Sequence, residues 1–393
     1  MADKQLSYTA EELDTHKSRL ETLEVDPATW QWYIRNRSTE KILGYVNRIS
    51  GGVTFLPRLN LINLADCNDD NTILSRMINW INLEPVLEGV FQAFAMVGDI
   101  ISATQTTKAA YAAACAAFWA QAEDSPIPVF CCMGNHDCNH DGTNNDYYCD
   151  KSDHRQYFIQ PMLDLDETLV SDVANDDACY FYKDFSTHQT RVICLDQYDF
   201  PYTYDGEGNP DYTAKQTSAN IGYSEAQLNW LVTALDVADD WNIIIICHES
   251  IAENANAVGG TDDCLLAILT AYQNQTTVNT TATSPLSYNI TGDFSSNSGK
   301  IIVIKGHTHE FKKETISGIK QYTILCGDSF TGASKYLRIE DSISSDAADI
   351  FSYDIDLDNF YFLRYGIINR RWADAGLDGD ANGFHYIDTS ETF

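Results

Sequence analysis

Residues 127–137 read IPVFCCMGNHD, and this stretch decides the fold. Its first part, 127–132, is an apolar run typical of a buried strand. Its second part, Gly134-Asn135-His136-Asp137, follows at once and offers an amide, an imidazole and a carboxylate. Because functional groups of α/β proteins collect at the carboxyl ends of strands, the pattern predicts a strand that leads into a functional loop.

Other apolar runs of the chain end in the same kinds of side chain. They are 59–65 before Asp66, 94–97 before Gly98-Asp99, 243–247 before His248, and 301–304 shortly before Gly306-His307-Thr308-His309. Where a glycine is present, it allows a sharp turn and leaves room for an ion. The two histidines of a His-x-His sequence can both turn toward one site. Such motifs in this order are hard to obtain by chance, so we expect one shared site.

Helical patterns alternate with these strands. One predicted helix carries its apolar residues on one face at Ile73, Leu74, Met77, Ile78 and Ile81, and two more are predicted at 108–122 and 224–237. Further apolar runs at 321–325, 350–355 and 360–365 make the C-terminal part β-rich. This alternation predicts an α/β protein whose helices cover the faces of its sheets.

The charge balance limits the partners of the protein. The 393 residues carry a formal net charge of −32 with no visible basic stripe, which argues against nucleic acid as a partner. No apolar run approaches the roughly 20 residues that span a bilayer, so no membrane partner is expected. The start of the chain shows no secretory signal, which predicts a cytoplasmic protein, with association with a virion as the alternative.

Eleven cysteines, many of them inside apolar runs, are expected to be reduced and buried. The alternative is one bridge between Cys138 and Cys149, which flank a polar loop. A second alternative is structural calcium at 378–383, which matches the opening of an EF-hand loop. That loop lacks its closing glutamate, because Thr389 stands there.

The N-terminal region, 1–50, is predicted to be a helical arm. Thr9 and Glu12 fit a capping box at its start. The leucines that can then share one helical face are Leu13, Leu20 and Leu23. We expect the arm either to form a homo-oligomer or to pack on the main body.

The main body is predicted to take residues 51–393. Within it, 274–299 is rich in Asn, Thr and Ser, which predicts a mobile polar surface insertion. Residues 321–393 are the β-rich C-terminal part. The division therefore has one arm and one large domain.

Taken together, the strand-end motifs resemble those of the calcineurin-like metallophosphoesterases. The pattern of that family is Asp-x-His, Gly-Asp, Gly-Asn-His-(Asp/Glu), His and Gly-His-x-His, and the resemblance covers most of residues 59–310. It implies an α/β fold of two stacked mixed β-sheets flanked by helices, a four-layer sandwich. It also implies that a metal-bridging hydroxide hydrolyses a phosphate monoester or diester.

The resemblance implies a binuclear metal centre in which Asp99 bridges the two ions. The remaining ligands implied are Asn135, His248 and His307 for one metal, and Asp66 and His309 for the other. Carboxylate, amide and imidazole donors suit divalent Mn, Fe or Zn, whose identity stays open. Two such cations can hold a hydroxide and clamp phosphate oxygens.

The same resemblance assigns the catalytic groups. His136 would stabilise charge or protonate the leaving oxygen beside the phosphate. Asp137 would orient the imidazole of His136. Other histidines and acids have a simpler interpretation: His140, Asp141 and His154 as solvated loop residues with substrate contact as the alternative, and His16, His188 and His385 as structural.

One position departs from the family pattern. The first motif reads Asp66-Cys67-Asn68, so Asn68 stands where the family has a histidine. Its amide oxygen can ligate more weakly than imidazole, which predicts a weaker site or one that favours manganese. The sequence Asp14-Thr15-His16 matches the missing motif, but residues two apart on a helix point to nearly opposite sides and cannot chelate one ion.

Three classes of function follow from these observations. The first is hydrolysis of a small phosphorylated substrate. The second is a non-catalytic or weakly active phage-tail-like structural protein that keeps the phosphoesterase fold, since the arm loosely resembles the start of tail or fibre proteins. On that interpretation Asn68 marks decay of the site. The third is a nuclease, which the net charge of −32 disfavours.

Overall fold

Two mixed β-sheets form the centre of the protein. The strands of the six-stranded sheet, in spatial order, are β19 (Tyr386–Glu391), β18 (Asn359–Gly366), β17 (Ala347–Asp354), β1 (Leu59–Leu64), β2 (Ala93–Val97) and β3 (Val129–Cys132). Those of the seven-stranded sheet are β15 (Lys312–Ile316), β16 (Ile319–Thr323), β14 (Ile301–Lys305), β11 (Asn242–Ile246), β6 (Thr190–Cys194), β5 (Phe181–Phe185) and β4 (Leu169–Ser171).

The computed structural model describes residues 58–68, 72–137, 149, 151–199, 203–204, 210–211, 221–237, 240–252, 258–284, 286–309, 311–324, 347–356, 358–366 and 386–391. Several predictions fall outside these residues and stay predictions: the arm at 1–50, Cys138, His140, Asp141, the loop at 378–383, His16 and His385.

The helices and short strands complete the element order. The helices are α1 (Thr72–Leu83), α2 (Lys108–Ala122), α3 (Lys151–His154), α4 (Gln160–Leu165), α5 (Glu225–Ala234) and α6 (Thr261–Gln273). A π-helical turn, Arg155–Ile159, joins α3 to α4. The short strand pairs are β7 (Tyr198–Asp199) with β10 (Gly222–Tyr223), β8 (Thr203–Tyr204) with β9 (Pro210–Asp211), and β12 (Thr277–Thr281) with β13 (Asn289–Asp293).

Parallel pairing brings several strand ends to a common edge. In the six-stranded sheet β1, β2 and β3 are parallel neighbours, with Ile62 opposite Phe94 and Ala95 opposite Phe130. In the seven-stranded sheet β11 is parallel to both β6 and β14. The carboxyl ends of neighbouring parallel strands meet at one edge, so the loops after these strands are brought side by side.

The strand β11 shows why both faces of the seven-stranded sheet are covered. Ile244 and Ile246 belong to the core shared with the six-stranded sheet, whereas Ile243 and Ile245 pack with residues of α5 and α6. Alternate side chains of a strand point to opposite faces, so an unbroken apolar run is typical of a strand covered on both sides.

Aromatic side chains connect the two sheets. The Tyr322 ring of β16 lies 5.6 Å from the Phe360 ring and 4.9 Å from the Phe362 ring of β18, measured between centroids. On α1, Trp80 contacts Tyr365 of the same strand with centroids 4.9 Å apart. The predicted fold class, an α/β protein with two mixed sheets and covering helices, is confirmed.

The segment 274–299 forms a regular hairpin of β12 and β13, paired from Thr277 opposite Asp293 to Thr281 opposite Asn289. Its polar side chains face outward, while Val278 and Ile290 are buried against the core that contains α5 and α6. Its low apolar content did not predict this hairpin, because a two-stranded ribbon needs only one apolar residue in two on its inner face.

The described cysteines agree with the expected buried, reduced state, since none of the nine forms a disulfide and all are buried. His188 is buried in a 3₁₀ turn, as expected of a structural residue. The interpretation of His154 as a solvated loop residue is wrong. It lies in α3, is 4% exposed, and its Nδ1 is 3.4 Å from the Tyr111 hydroxyl. Among the described residues, no helix is long and apolar enough to cross a bilayer.

Candidate metal centre

The loops after five strands converge between the two sheets. They follow β1, β2 and β3 of one sheet and β11 and β14 of the other, and their predicted site residues are Asp66, Asn68, Asp99, Asn135, His136, His248, His307 and His309. Backbone bonds tie the loops together: the Asp66 amide donates to the Gly98 carbonyl at 3.0 Å, and the Gly306 amide donates to the His248 carbonyl at 3.1 Å. Residues far apart in sequence therefore share one small volume.

Asp99, Asn135, His248 and His307 form the first group, called here the imidazole half. The Nε2 atom of His248 lies 3.0 Å from Asp99 Oδ2 and 3.0 Å from Asn135 Oδ1. Asn135 Oδ1 in turn lies 3.1 Å from His307 Nδ1. One donor atom from each of Asp99, His248 and His307 falls within 4.8 Å of the others, so these groups can surround one cation.

Asp66, Asn68 and His309, together with Asp99, form the second group, called here the oxygen half. His309 Nε2 lies 3.1 Å from Asp66 Oδ1, and the same oxygen lies 3.8 Å from His248 Nε2 of the imidazole half. The Asn68 amide nitrogen donates to the Asp99 carbonyl at 2.9 Å. The two halves are therefore adjacent, with Asp99 between them.

His136 lies at the rim of the centre. Its backbone amide donates to Asp99 Oδ1 at 2.7 Å, while its Nε2 lies 3.8 Å from Asp99 Oδ2. The side chain is 28% exposed, in contrast to the fully buried His248. It is thus anchored through its backbone and keeps its ring accessible from outside.

Asp137 does not orient the imidazole of His136, and that expected role needs correction. Its Oδ1 accepts the amides of Ile100 and Ile101, and its Oδ2 accepts those of Asp99 and Gly134, all at 2.8 Å. The carboxylate is fully buried. It clamps the Asp99 loop to the loop after β3, because four backbone donors converge on its two oxygens.

The backbone is strained at the candidate ligands. Nine non-glycine residues of the described part have positive φ, and five of them are candidate ligands: Asp66, Asn68, Asp99, His307 and His309. Left-handed backbone is unfavourable for residues with a Cβ and is concentrated at functional sites, where surrounding structure enforces it. Here the bonds between loops supply that enforcement.

Two glycines give the ligands room. Gly98 has a φ of 80°, and a Cβ there would lie 2.5 Å from His248 Nδ1. A Cβ at Gly134 would collide with the Asp99 carboxylate. Any side chain at either position would displace a candidate ligand, which explains why the strand-end motifs contain glycine there.

The buried charges set the ionisation of the ligands. Burial would lower the pKa of His248, but the Asp99 and Asp66 carboxylates and the Val97 carbonyl outweigh it and raise the pKa to about 10. Burial would raise the pKa of Asp99, but His248 and His136 lower it to about 2. Burial and the charge of His248 lower the pKa of His307 to about 4. Asp99 is therefore anionic and His307 neutral at neutral pH, the forms in which they ligate.

A bond on the far side of the ring selects the ligating atom of His248. Its Nδ1 lies 2.9 Å from the Val97 carbonyl, which accepts only a hydrogen-bearing nitrogen. The neutral ring then has its lone pair on Nε2, the atom that faces Asp99 and Asn135. Metal-ligating histidines in proteins are held in this way.

The residues fit divalent cations. Donors bound at about 2.1 Å in an octahedral arrangement lie about 3 Å apart, and the contacts around Asn135 Oδ1 measure 3.0 and 3.1 Å. In the oxygen half, Asn68 Oδ1 is buried and accepts no hydrogen bond from the described part of the chain. A buried oxygen without a donor is costly, and a cation can satisfy it.

Two buried glutamines of the site carried no sequence signal. Gln197 accepts a bond from the first amide of 249–251 and donates to a carbonyl of that turn, and Gln321 accepts from the last amide of the turn at 3.0 Å. Both are 0% exposed. They fix the turn after His248. Gln197 follows a strand and so stands where a signal could have been sought, whereas Gln321 lies inside β16.

A family model described as calcineurin-like phosphoesterase matches residues 60–311, more than half of the chain. The matched region runs from β1 to just beyond the His-x-His loop and contains every residue of the two halves. No curated protein matches the chain.

Solved structures share the fold at low identity. A dimetal phosphatase from Danio rerio is 16% identical, with a TM-score of 0.53, over 78% of this chain and 96% of its own. The protein TT1561 of Thermus thermophilus is 10% identical, with a TM-score of 0.36, over 78% and 98%. GAP50 of Plasmodium, an anchor in the inner membrane complex, is 12% identical, with a TM-score of 0.39, over 78% and 84%.

Proposed function

Because the chain belongs to the calcineurin-like phosphoesterase family, and is on that ground a metallophosphoesterase that uses two divalent metal ions, we propose that it hydrolyses a small phosphate monoester or diester at the centre described above. The observation that carries the proposal is the convergence of Asp99, Asn135, His248 and His307, whose neighbouring donor atoms lie 3.0–3.1 Å apart.

The chain's own residues would hold the metals in two groups that share Asp99. The imidazole half adds Asn135, His248 and His307 for one ion, and the oxygen half adds Asp66, Asn68 and His309 for the other. When bound, two such cations supply Lewis acidity, lower the pKa of the attacking water and neutralise charge on the phosphate. The loops fix the ligands in advance, because their backbones are bonded to one another.

His136 is proposed as the catalytic histidine. Its ring stands at the accessible rim, beside the shared ligand Asp99, where the leaving oxygen of a phosphate ester can reach it. A proton held at Nε2 can pass to that oxygen as the ester bond breaks, or the N–H can stabilise its developing charge. The bond from the His136 amide to Asp99 keeps the ring next to the metal ligands.

Asp137 is proposed as a positioning residue. It accepts amides from both the Asp99 loop and Gly134, so it sets the distance between the shared ligand and the loop that carries Asn135 and His136. Its carboxylate touches no candidate substrate position. It acts through the backbone of the ligands.

The charge of the chain narrows the substrate. A net charge of −32 repels a long polyanion, since a nucleic acid presents one phosphate after another to the whole surface. A small phosphorylated molecule needs only the centre itself, where bound cations compensate the local carboxylates. Small mono- and diesters are therefore the proposed substrates.

Turnover of p-nitrophenyl phosphate and of bis-p-nitrophenyl phosphate, measured with added Mn²⁺, tests the proposal. EDTA and His136→Ala are each expected to abolish at least one of the two activities. A matched control is His188→Asn, because His188 precedes β6 at the amino end of the strand, away from the site. Activity that survives both EDTA and His136→Ala contradicts the mechanism. The absence of any turnover in the wild type would favour the structural-protein alternative.

A further inference from the structure

We propose that the two halves select different cations: the imidazole half takes a borderline ion such as Zn²⁺ or Fe²⁺ first, and the oxygen half takes a hard ion such as Mn²⁺ or Mg²⁺ second and more weakly. The inference rests on the proposed metal centre. It concerns Asn68, the residue that makes the halves unlike.

The donor sets differ in chemistry. The imidazole half offers two nitrogens, from His248 and His307, whereas the oxygen half offers one, from His309. The other donors are oxygens: Asp99 and Asn135 in the first half, and Asp66, Asn68 and Asp99 in the second. Imidazole favours Zn and Fe, and carboxylate or carbonyl oxygen favours Mg, Ca and Mn.

The orientation of the Asn68 amide leaves its oxygen available. Its Nδ2 donates to the Asp66 backbone carbonyl at 3.3 Å, and the reversed amide would place oxygen against oxygen at this contact. Oδ1 is therefore the free end. It is buried, and within the described ranges it accepts no hydrogen bond.

Asn68 is held against the shared ligand. Its backbone amide donates to the Asp99 carbonyl at 2.9 Å, and its φ is 47°, a left-handed conformation that an asparagine tolerates better than most residues. The side chain begins two residues after Asp66, whose Oδ1 contacts His309 Nε2. The amide oxygen thus belongs to the floor of the oxygen half, and a cation there is the partner it lacks.

A neutral oxygen in place of an imidazole changes affinities unequally. Zn²⁺ and Fe²⁺ lose a preferred donor, whereas Mn²⁺ and Mg²⁺ keep the kind of donor they favour. Zn²⁺ should therefore bind once with high affinity and a second time much more weakly. Mn²⁺ should fill the second position without displacing the first ion.

The test measures metal binding, without reference to turnover. Metal-free full-length protein is titrated with Zn²⁺ by calorimetry, then loaded with one equivalent of Zn²⁺ and titrated with Mn²⁺, with free Mn²⁺ followed by electron paramagnetic resonance. The expected result is one tight Zn²⁺ per chain, a second Zn²⁺ at least about tenfold weaker, and one Mn²⁺ bound beside the first Zn²⁺.

Three variants at one position define the role of the amide. Asn68→His should tighten the second Zn²⁺ about tenfold or more, Asn68→Asp should tighten Mn²⁺, and Asn68→Ala should weaken the second ion while leaving the first unchanged. Asn135→Ala is the matched control in the other half and should weaken the first ion. Circular dichroism checks that each variant is folded, and the two gain-of-affinity variants keep the test valid if Asn68→Ala does not fold.

Two Zn²⁺ ions of equal affinity in the wild type, with no change in Asn68→His, would overturn the inference while leaving the proposed function intact. An unaltered second ion in all three variants would overturn it as well. Wild-type protein that takes up no Zn²⁺ or Mn²⁺ would overturn the proposed function itself, so the two failures are distinguishable.

Discussion

The Nε2 atom of His248 lies 3.0 Å from Oδ2 of Asp99, although the two residues follow strands of different sheets. His248 comes directly after the strand β11 ends, and Asp99 lies two residues beyond the end of β2. This contact joins the two sheets at the edge where their parallel strands end. The position of the metal centre is thus a consequence of the stacking of the sheets, and changes that disturb the loops should affect metal binding before they affect the fold.

Replacement of Gly98 by alanine should damage the centre more than the fold. The new Cβ would lie 2.5 Å from His248 Nδ1 and would also occupy a φ of 80°. We expect a loss of about 3 kcal/mol in the free energy of unfolding and a loss of metal affinity of tenfold or more. Urea unfolding and calorimetric titration with Zn²⁺ measure the two effects.

Gly89→Ala is the matched control for Gly98→Ala. Gly89 has a similar φ of 72°, but a Cβ there would meet nothing within 4 Å. Its cost should be the backbone term alone, about 1 kcal/mol, with unchanged metal affinity. Equal effects of the two substitutions on metal affinity would show that His248 does not depend on the space left by Gly98.

Replacement of Asp137 by asparagine should loosen the ligand loops. One acceptor oxygen becomes an N–H₂ group that faces backbone donors, so buried amides lose their partner at a cost of about 3 kcal/mol. Metal affinity should fall together with stability. The measurement is urea unfolding in EDTA, combined with metal titration under conditions where the variant is folded. A variant with normal stability and normal metal binding but a lower turnover would restore the role of Asp137 as partner of His136.

Metal ions should stabilise the folded protein through Asp99. Binding to the native state alone adds about 2.7 kcal/mol at a free concentration one hundred times the dissociation constant. Thermal unfolding of the wild type should therefore shift upward with Zn²⁺ or Mn²⁺. Asp99→Asn should remove most of this shift, since the residue belongs to both halves. A full shift in the variant would place the bound ions elsewhere in the chain.

The ion pair between Lys183 and Asp166 predicts a pH dependence of stability away from the centre. Partial burial would raise the pKa of Asp166, but the Lys183 ammonium 2.6 Å away and the Thr168 hydroxyl and amide outweigh it and lower the pKa. A carboxyl whose pKa is lowered on folding stabilises above its unfolded pKa, near 4, and loses that contribution as pH falls through the folded pKa.

Asp166→Asn should accordingly reduce the free energy of unfolding by about 1 kcal/mol at pH 7, and the difference from wild type should shrink toward zero at the lowest pH where both remain folded. Urea unfolding at several pH values measures it. Asp164→Asn is the control, because Asp164 is exposed and bonded only to Gln160 among its described partners. A difference that grows on acidification would contradict the assignment.

Much of the fold and of the centre could be predicted from the sequence because period and position carry the information. The run at 243–247 is apolar throughout, as a strand covered on both faces must be, and β11 lies there. The predicted helix at 108–122 has the bounds of α2. His248 and His307 were identified because each follows such a strand, and parallel strands place their ends together.

The remainder depends on directions that a sequence does not encode locally. Asp137 follows His136 in the chain, yet its carboxylate points to the Asp99 loop, a choice made by four backbone donors from two loops. Gln321 reaches the turn after His248 from within a strand, where alternation predicts only which face a residue occupies. The hairpin of 277–293 is stabilised by α5 and α6, elements with which it shares no sequence pattern.

Anomalous diffraction from crystals of the full-length protein grown with Mn²⁺ tests the central claim most directly. The account predicts two peaks per chain, about 3.5–4 Å apart, with Asp99 between them, His248 and His307 beside one peak and His309 beside the other. A structure with no peak among these side chains, or with Asp99, Asn135, His248 and His307 too far apart to share an ion, would contradict it.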